Sequence, residues 1–223
     1  MRIYEAGKWI TPLPGILVLP LYVDHSALDS YMFYIQVSEK SILFTGDFQE
    51  HGIVGQRGRL ERVLKTCVPG PVDVLITEGT MLSRLGETKD VLVKSELERD
   101  GFVMLTRKNT RPEDYVSPFE RLRDKFFDRD GQIIYSMWKG YLEEEHADEH
   151  LLRFIGGRPY ESLHTSGHAY VETIAGLISL VNPKIIIPMH TECPEDFTSI
   201  PEFAPYYDRV RVLQDGIGCH DLL

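Results

Sequence analysis

The feature that most limits what this chain can fold into is its alternation of short apolar runs with stripes of helical period. Ile16-Leu17-Val18-Leu19, Leu21-Tyr22-Val23, Met32-Phe33-Tyr34-Ile35-Gln36-Val37, Ser41-Ile42-Leu43-Phe44 and Val72-Asp73-Val74-Leu75-Ile76 are short and bounded by Gly, Pro or acidic residues, so they read as strands. Gln132-Ile133-Ile134-Tyr135 and Lys184-Ile185-Ile186-Ile187-Pro188-Met189 read the same way, and Val210-Arg211-Val212-Leu213 is expected to be the last strand. Leu60, Val63, Leu64 and Cys67 fall at i, i+3, i+4 and i+7, which predicts an amphipathic helix over 56–67. Ile174, Leu177, Ile178 and Val181 make a second stripe, with Pro183 as its stop signal. In the charged middle of the chain, Ser117-Pro118-Phe119-Glu120 has the pattern of a capping box, and Glu143 to Leu152 reads as a solvated helix. Strands interleaved with helices imply a layered α/β domain.

With 223 residues, 43% of them hydrophobic and 26% charged, the chain can build one good core and a small insert. No apolar run approaches the ~18–20 residues of a membrane span, and the first residues lack a signal-peptide pattern. Cys67, Cys193 and Cys219 are odd in number and share no CxxC spacing, so a reduced, cytoplasmic setting is expected. The net charge of −10 argues against a surface that attracts polyanions as a whole. Local basic clusters exist nonetheless, at Arg57–Lys65, Arg107–Arg111 and Arg121–Lys125.

Four chemistry-bearing residues stand where predicted strands end or helices begin. His25 follows the Leu21–Val23 run, Asp47 follows Ser41–Phe44, His168 precedes the Ile174 stripe, and His190 ends the Ile185–Met189 run. Each alone reads equally well as a hydrogen-bonded structural histidine or a turn aspartate. Together they offer imidazole and carboxylate at one kind of position, which suits zinc.

Five segments occur in order: Val23-Asp24-His25-Ser26-Ala27-Leu28-Asp29-Ser30, Thr45-Gly46-Asp47-Phe48, Asp73-Val74-Leu75-Ile76-Thr77-Glu78-Gly79-Thr80, Ser166-Gly167-His168-Ala169 and Pro188-Met189-His190-Thr191-Glu192. From about residue 15 onward the chain thereby resembles the metallo-β-lactamase-fold hydrolases, in particular the ribonuclease J and β-CASP branch that cuts phosphodiesters. The resemblance implies an α/β fold of the αββα sandwich type. It implies that His25 ligates one zinc, that Asp47 bridges two, and that His190 ligates the second, with manganese as an alternative metal. His168 would sit beside the reacting phosphate, and Glu78 would orient a histidine. Ser166 and Gly167 would contact an RNA or other phosphodiester substrate.

The chain departs from the family at its principal metal motif, HxHxDH, which should lie upstream of His25. Only 24 residues precede His25 and none is histidine. That motif carries four of the seven ligand positions, leaving His25, Asp47 and His190. The expectation is a single incomplete domain over 1–223, equivalent to the C-terminal portion of the fold, with a reduced cap at about residues 88–157. An intact form would hydrolyse RNA, whereas this chain alone would bind metal weakly and be impaired. The alternatives are a non-catalytic binding partner or one subunit of a split enzyme. Half a sandwich would also leave an apolar sheet face that self-associates or receives the complementary segment.

His146-Ala147-Asp148-Glu149-His150 matches the H-x-x-E-H pattern of zinc proteases, but its highly acidic flank favours a solvated helix. Ser136-Met137-Trp138 reads either as part of a substrate pocket or, preferably, as an aromatic packing turn. His51, His164 and His220 carry weaker signals. Cys67 is expected in the core.

Overall fold

The structure, a computed structural model, describes residues 5–25, 29–51, 58–84, 103–105, 133–135, 139–143, 145–162, 166–214 and 216. In chain order its elements are β1 (Ile10–Leu13), β2 (Ile16–Val23), β3 (Ser30–Val37), β4 (Lys40–Phe44), α1 (Arg59–Cys67) and β5 (Val74–Glu78). There follow β6 (Val103–Leu105), β7 (Ile133–Tyr135), α2 (Glu149–Ile155), β8 (Tyr160–Ser162), α3 (Val171–Val181) and β9 (Ile185–Met189). The chain divides into two compact units, Met1–Gly86 with Gly167–Leu223, and Glu87–Ser166.

The first unit is built on one sheet in the order β1-β2-β3-β4-β5-β9. Strands β1 to β4 pair antiparallel, and β4, β5 and β9 pair parallel. It follows that β2, β4, β5 and β9 all run in one direction, so their C-terminal ends share one edge. That edge carries the site described below.

Alternation along each strand sends Leu19, Leu21 and Val23, Met32 and Tyr34, Leu43, Leu75 and Ile186 to one face. These side chains are buried in one cluster with Leu64 of α1 and Ile174, Leu177, Ile178 and Val181 of α3. The two stripes seen in the sequence are thus the faces by which both helices cover this side of the sheet. Full burial of each such side chain is worth about 1.5–3 kcal/mol. The opposite face is apolar too: Pro20, Phe33, Phe44, Ile76 and Ile187 stand in register across five strands, and Val18, Ile35, Ile42, Val74 and Ile185 form the next row. None of these ten belongs to the helix-covered cluster. A sheet apolar on both faces has the composition of one covered on both sides.

At the edge away from the site, Asp73 ties three strands together. Its Oδ2 accepts hydrogen bonds from Ser41 N at 2.9 Å and Ser41 Oγ at 3.2 Å, and its Oδ1 accepts one from Lys184 Nζ at 2.7 Å. The Lys184 contact, then the Ser41 amide, hold this carboxyl down at about 2.

Several elements differ from expectation. Val210–Leu213 is not a strand: Val210 forms an isolated bridge to Ile186, and Arg211 N donates to Ile186 O at 2.8 Å. The 3-10 helix Pro201–Arg209 runs up to that point, so a single residue reaches the β9 register. Another 3-10 turn, Pro194–Thr198, precedes it, and Phe197 and Phe203 from the two stack at 5.1 Å inside the core. Edge strand β1 was not foreseen because Pro12 interrupts it, which an edge tolerates.

The second unit contains a parallel sheet in the order β6-β7-β8 and a small cluster of Ile133, Tyr135, Leu151 and Ile155. The helix expected from Glu143 starts only at Glu149. Asp148 Oδ1 accepts from Leu151 N at 3.2 Å and so caps its first turn, while three successive glutamates disfavour an earlier start. The capping-box segment Ser117–Glu120 and most of the stretch expected to form a cap lie outside the described residues. No helix among the described residues is long and apolar enough to cross a membrane.

Candidate metal centre

The common direction of β2, β4, β5 and β9 places His25, Asp47, Glu78 and His190 at one edge of the sheet. Helix α3 returns antiparallel to β9, so His168, just before its N-terminus, reaches the same edge. Four of these, Asp47, Glu78, His168 and His190, have ligand atoms all within 4.8 Å of one another.

Asp47 is the hub. Its Oδ1 is 3.0 Å from His190 Nδ1, and its Oδ2 is 4.0 Å from His25 Nε2. The His168 ring lies between the two, with centroids 5.4 Å from His25 and 5.5 Å from His190. Hydrogen bonds to these rings determine their tautomers. His25 Nδ1 faces the Gly167 carbonyl at 2.6 Å, and because a carbonyl only accepts, Nδ1 carries the proton and Nε2 faces Asp47. His168 Nδ1 donates to Glu78 Oε2 at 2.8 Å, which leaves its Nε2 available. A ring held this way presents an imidazole nitrogen in fixed orientation, as metal ligands require.

Glu78 is fully buried, so its carboxylate needs every partner it has. Oε1 accepts from Phe48 N at 3.0 Å and Ala169 N at 3.2 Å, while Oε2 accepts from His168. Burial pushes the Glu78 carboxyl up, but the His168 hydrogen bond and charge and the two amides outweigh it and hold it below the usual range. Burial likewise pulls His168 down, yet the hydrogen bond and charge of Glu78, aided by Asp47, hold it above the ordinary imidazole range. With both oxygens engaged, Glu78 orients His168 and bridges the loops after β4 and before α3.

His190 has φ 48, a left-handed conformation uncommon for a residue with a side chain. Thr80 Oγ1 donates to the His190 carbonyl at 3.1 Å and lies 3.2 Å from its Nδ1. Strain held in place by neighbours is a recurrent property of functional sites. Thr80 was not singled out in the sequence, although it sits two residues beyond Glu78 in the same segment. Gly79, between them, has no room for a side chain: a Cβ would stand 2.7 Å from Phe197 Cε2.

Of the remaining candidates, Gly167 contributes its carbonyl and Ser166 is buried. Ser136, His164 and His220 lie outside the described residues. The His51 ring lies tilted against that of Tyr170, the residue preceding α3, with centroids 4.7 Å apart, and His51 is not among the metal-ligand group. His146 precedes α2, so the H-x-x-E-H spacing does not put both histidines on one helix face. Cys67 packs against the core as expected.

No protein-family model matches the chain, and neither does any curated protein. Solved structures do. A protein of unknown function from Enterococcus faecalis V583 overlaps 88% of this chain and 63% of its own, at 16% identity and a TM-score of 0.54. The metallo-β-lactamase fold protein YhfI from Bacillus subtilis overlaps 96% of this chain and 52% of its own, at 8% identity and a TM-score of 0.45. The short form of human tRNase Z overlaps 96% and 44%, at 11% identity and a TM-score of 0.33. The chain therefore spans less than two thirds of the length of these structures, and at such identities the first of them shows a shared fold alone.

Proposed function

We propose that this chain is a metal-binding hydrolase subunit of the metallo-β-lactamase type, directed at phosphodiesters such as RNA. The observation that carries the reading is the meeting of Asp47, His168 and His190, with Glu78 behind them, at one strand edge. The donor set suits a divalent ion such as zinc or manganese. Ligands about 2.0–2.2 Å from a tetrahedral ion stand a little over 3 Å apart, comparable with the 3.0 Å between Asp47 Oδ1 and His190 Nδ1. Asp47, His190 and His168 Nε2 would hold one ion, and Asp47 Oδ2 with His25 Nε2 would begin a second position. Among the described residues that second position has two protein donors, where a catalytic ion normally takes three.

When bound, such ions polarise a phosphoryl oxygen and lower the pKa of water to near neutrality. The residues of this chain do the rest. His25 is kept in one tautomer by Gly167. His168, whose Nδ1 proton is held by Glu78, would present Nε2 to the ion in a fixed orientation. His190 has half its side chain exposed, so the site opens to solvent on that side. The ligand shortage supports a division of labour in which another segment or polypeptide supplies HxHxDH and lies on the second apolar face of the sheet. It equally favours a second reading, a non-catalytic subunit that only binds.

Metal content after equilibration with zinc or manganese tests the first part: about one ion per chain is expected, lost in Asp47→Ala. Activity on labelled RNA tests the second. The chain alone should be nearly inactive, and a segment bearing HxHxDH, fused or added in trans, should restore cleavage that Asp47→Ala abolishes. Absence of metal uptake overturns the site. Vigorous cleavage by the chain alone overturns its incompleteness, and no rescue favours the binding role.

A further inference from the structure

Thr80 stands two residues past the end of β5, and its hydroxyl meets His190 twice. Oγ1 donates to the His190 carbonyl at 3.1 Å and lies 3.2 Å from the ring Nδ1. Among the described residues, no other side chain is hydrogen-bonded to that carbonyl. The backbone around Thr80 is itself held. Leu82 N donates to the Gly79 carbonyl at 3.1 Å, Ser83 Oγ lies 3.5 Å from the Thr80 carbonyl, and Phe197, Leu82 and Thr191 close around Gly79. Because β5 and β9 pair with Glu78 opposite Met189, this turn comes up beside His190.

The two contacts do different things. A residue with a side chain leaves the left-handed region unless its surroundings keep it there, so His190 at φ 48 needs an anchor. The hydrogen bond to its carbonyl is such an anchor. That bond also fixes the hydroxyl. With its single proton committed to an oxygen that only accepts, Thr80 Oγ1 offers Nδ1 a lone pair. Asp47 Oδ1, 3.0 Å from the same Nδ1, is an acceptor as well. Two acceptors around one ring nitrogen put the neutral ring's proton on Nδ1 and keep that nitrogen on the Asp47 side.

We propose that Thr80 is a positioning residue of the metal centre: its hydroxyl locks His190 in the left-handed conformation and aims Nδ1 at Asp47, so that the two donors stand together before an ion arrives. The inference rests on the reading of that edge as a metal site, and it adds a residue that acts through a ligand. A ligand held in place beforehand binds more tightly than one that must first be ordered. Valine has nearly the shape of threonine without the hydroxyl, and serine has the hydroxyl without the methyl, so the role is separable from packing.

The test uses the full chain, zinc alone as the probe, and these two variants. Competition with a chelating dye should show zinc affinity falling about 10–100-fold in Thr80→Val, while Thr80→Ser stays close to the parent chain. A second readout needs no ion: long-range proton–nitrogen NMR spectra of the histidine rings at about pH 8.5, where an ordinary imidazole is neutral. His190 is assigned from its loss in His190→Asn. Its ring should be protonated at Nδ1 in the parent chain and in Thr80→Ser, and should shift toward protonation at Nε2 in Thr80→Val. A role in packing alone would not move this signature. A ring protonated at Nε2 in the parent chain overturns the proposal and leaves the metal centre standing, as does unchanged zinc affinity or an unchanged ring signature in Thr80→Val. Absence of zinc uptake by the parent chain overturns the metal centre and this inference with it.

Discussion

Replacing Asp73 with asparagine should destabilise the sheet unit in a way that depends on pH. The carboxylate sits where β4, β5 and β9 begin, accepting from Ser41 and Lys184. Its pKa falls from 3.8 to about 2. At ~1.4 kcal/mol per unit, that depression corresponds to roughly 2 kcal/mol of stability at neutral pH. Because the folded-state pKa is the lower one, this stability is fully present above about pH 4 and is lost as pH falls toward 2. The exposed Lys184 contributes a part that salt screens, so the figure is an upper value at low ionic strength. Asparagine can still accept from the Ser41 amide but lacks the charge. The assay is urea unfolding of a Trp138→Phe background, read by Trp9, whose ring packs 5.9 Å from Tyr34 in this sheet. Asp73→Asn should lower stability by about 1–2 kcal/mol at pH 7 and by almost nothing at pH 2. A deficit of the same size at both values, or none at pH 7, would refute the charge argument.

Gly79→Ala should destabilise by about 1–3 kcal/mol, because the new methyl must displace Phe197, and it should weaken metal uptake by shifting Thr80 and His190; calorimetry and a metal titration read the two effects. Glu78→Gln should lower metal affinity about 10–100-fold by releasing His168 from its fixed orientation, measurable by competition with a chelating dye. Phe203→Ala should cost about 3–5 kcal/mol in urea unfolding, since this ring is fully buried against Phe197. Sedimentation velocity should show concentration-dependent association through the second apolar face, reduced by Ile35→Lys; a compact monomer at all concentrations would count against that surface.

Periodicity by itself identified β2 to β5, β9 and the helices α1 and α3, because each is a local pattern of side-chain burial that its own residues enforce. The order of five short motifs likewise singles out His25, Asp47, Glu78, His168 and His190. Their meeting is another matter. His25 and Gly167 are 142 positions apart and Glu78 and His168 are 90, and such contacts exist only because four strands run in one direction and α3 returns against them. The same is true of Thr80, which acquires a role only when β5 and β9 lie side by side. Elements built around proline, β1 and the 3-10 segments bearing Phe197 and Phe203, show no clean period, and their positions follow from the core they fill. Local chemistry thus named the reactive groups, whereas the tautomers and the His190 strain arise from packing between segments distant in sequence.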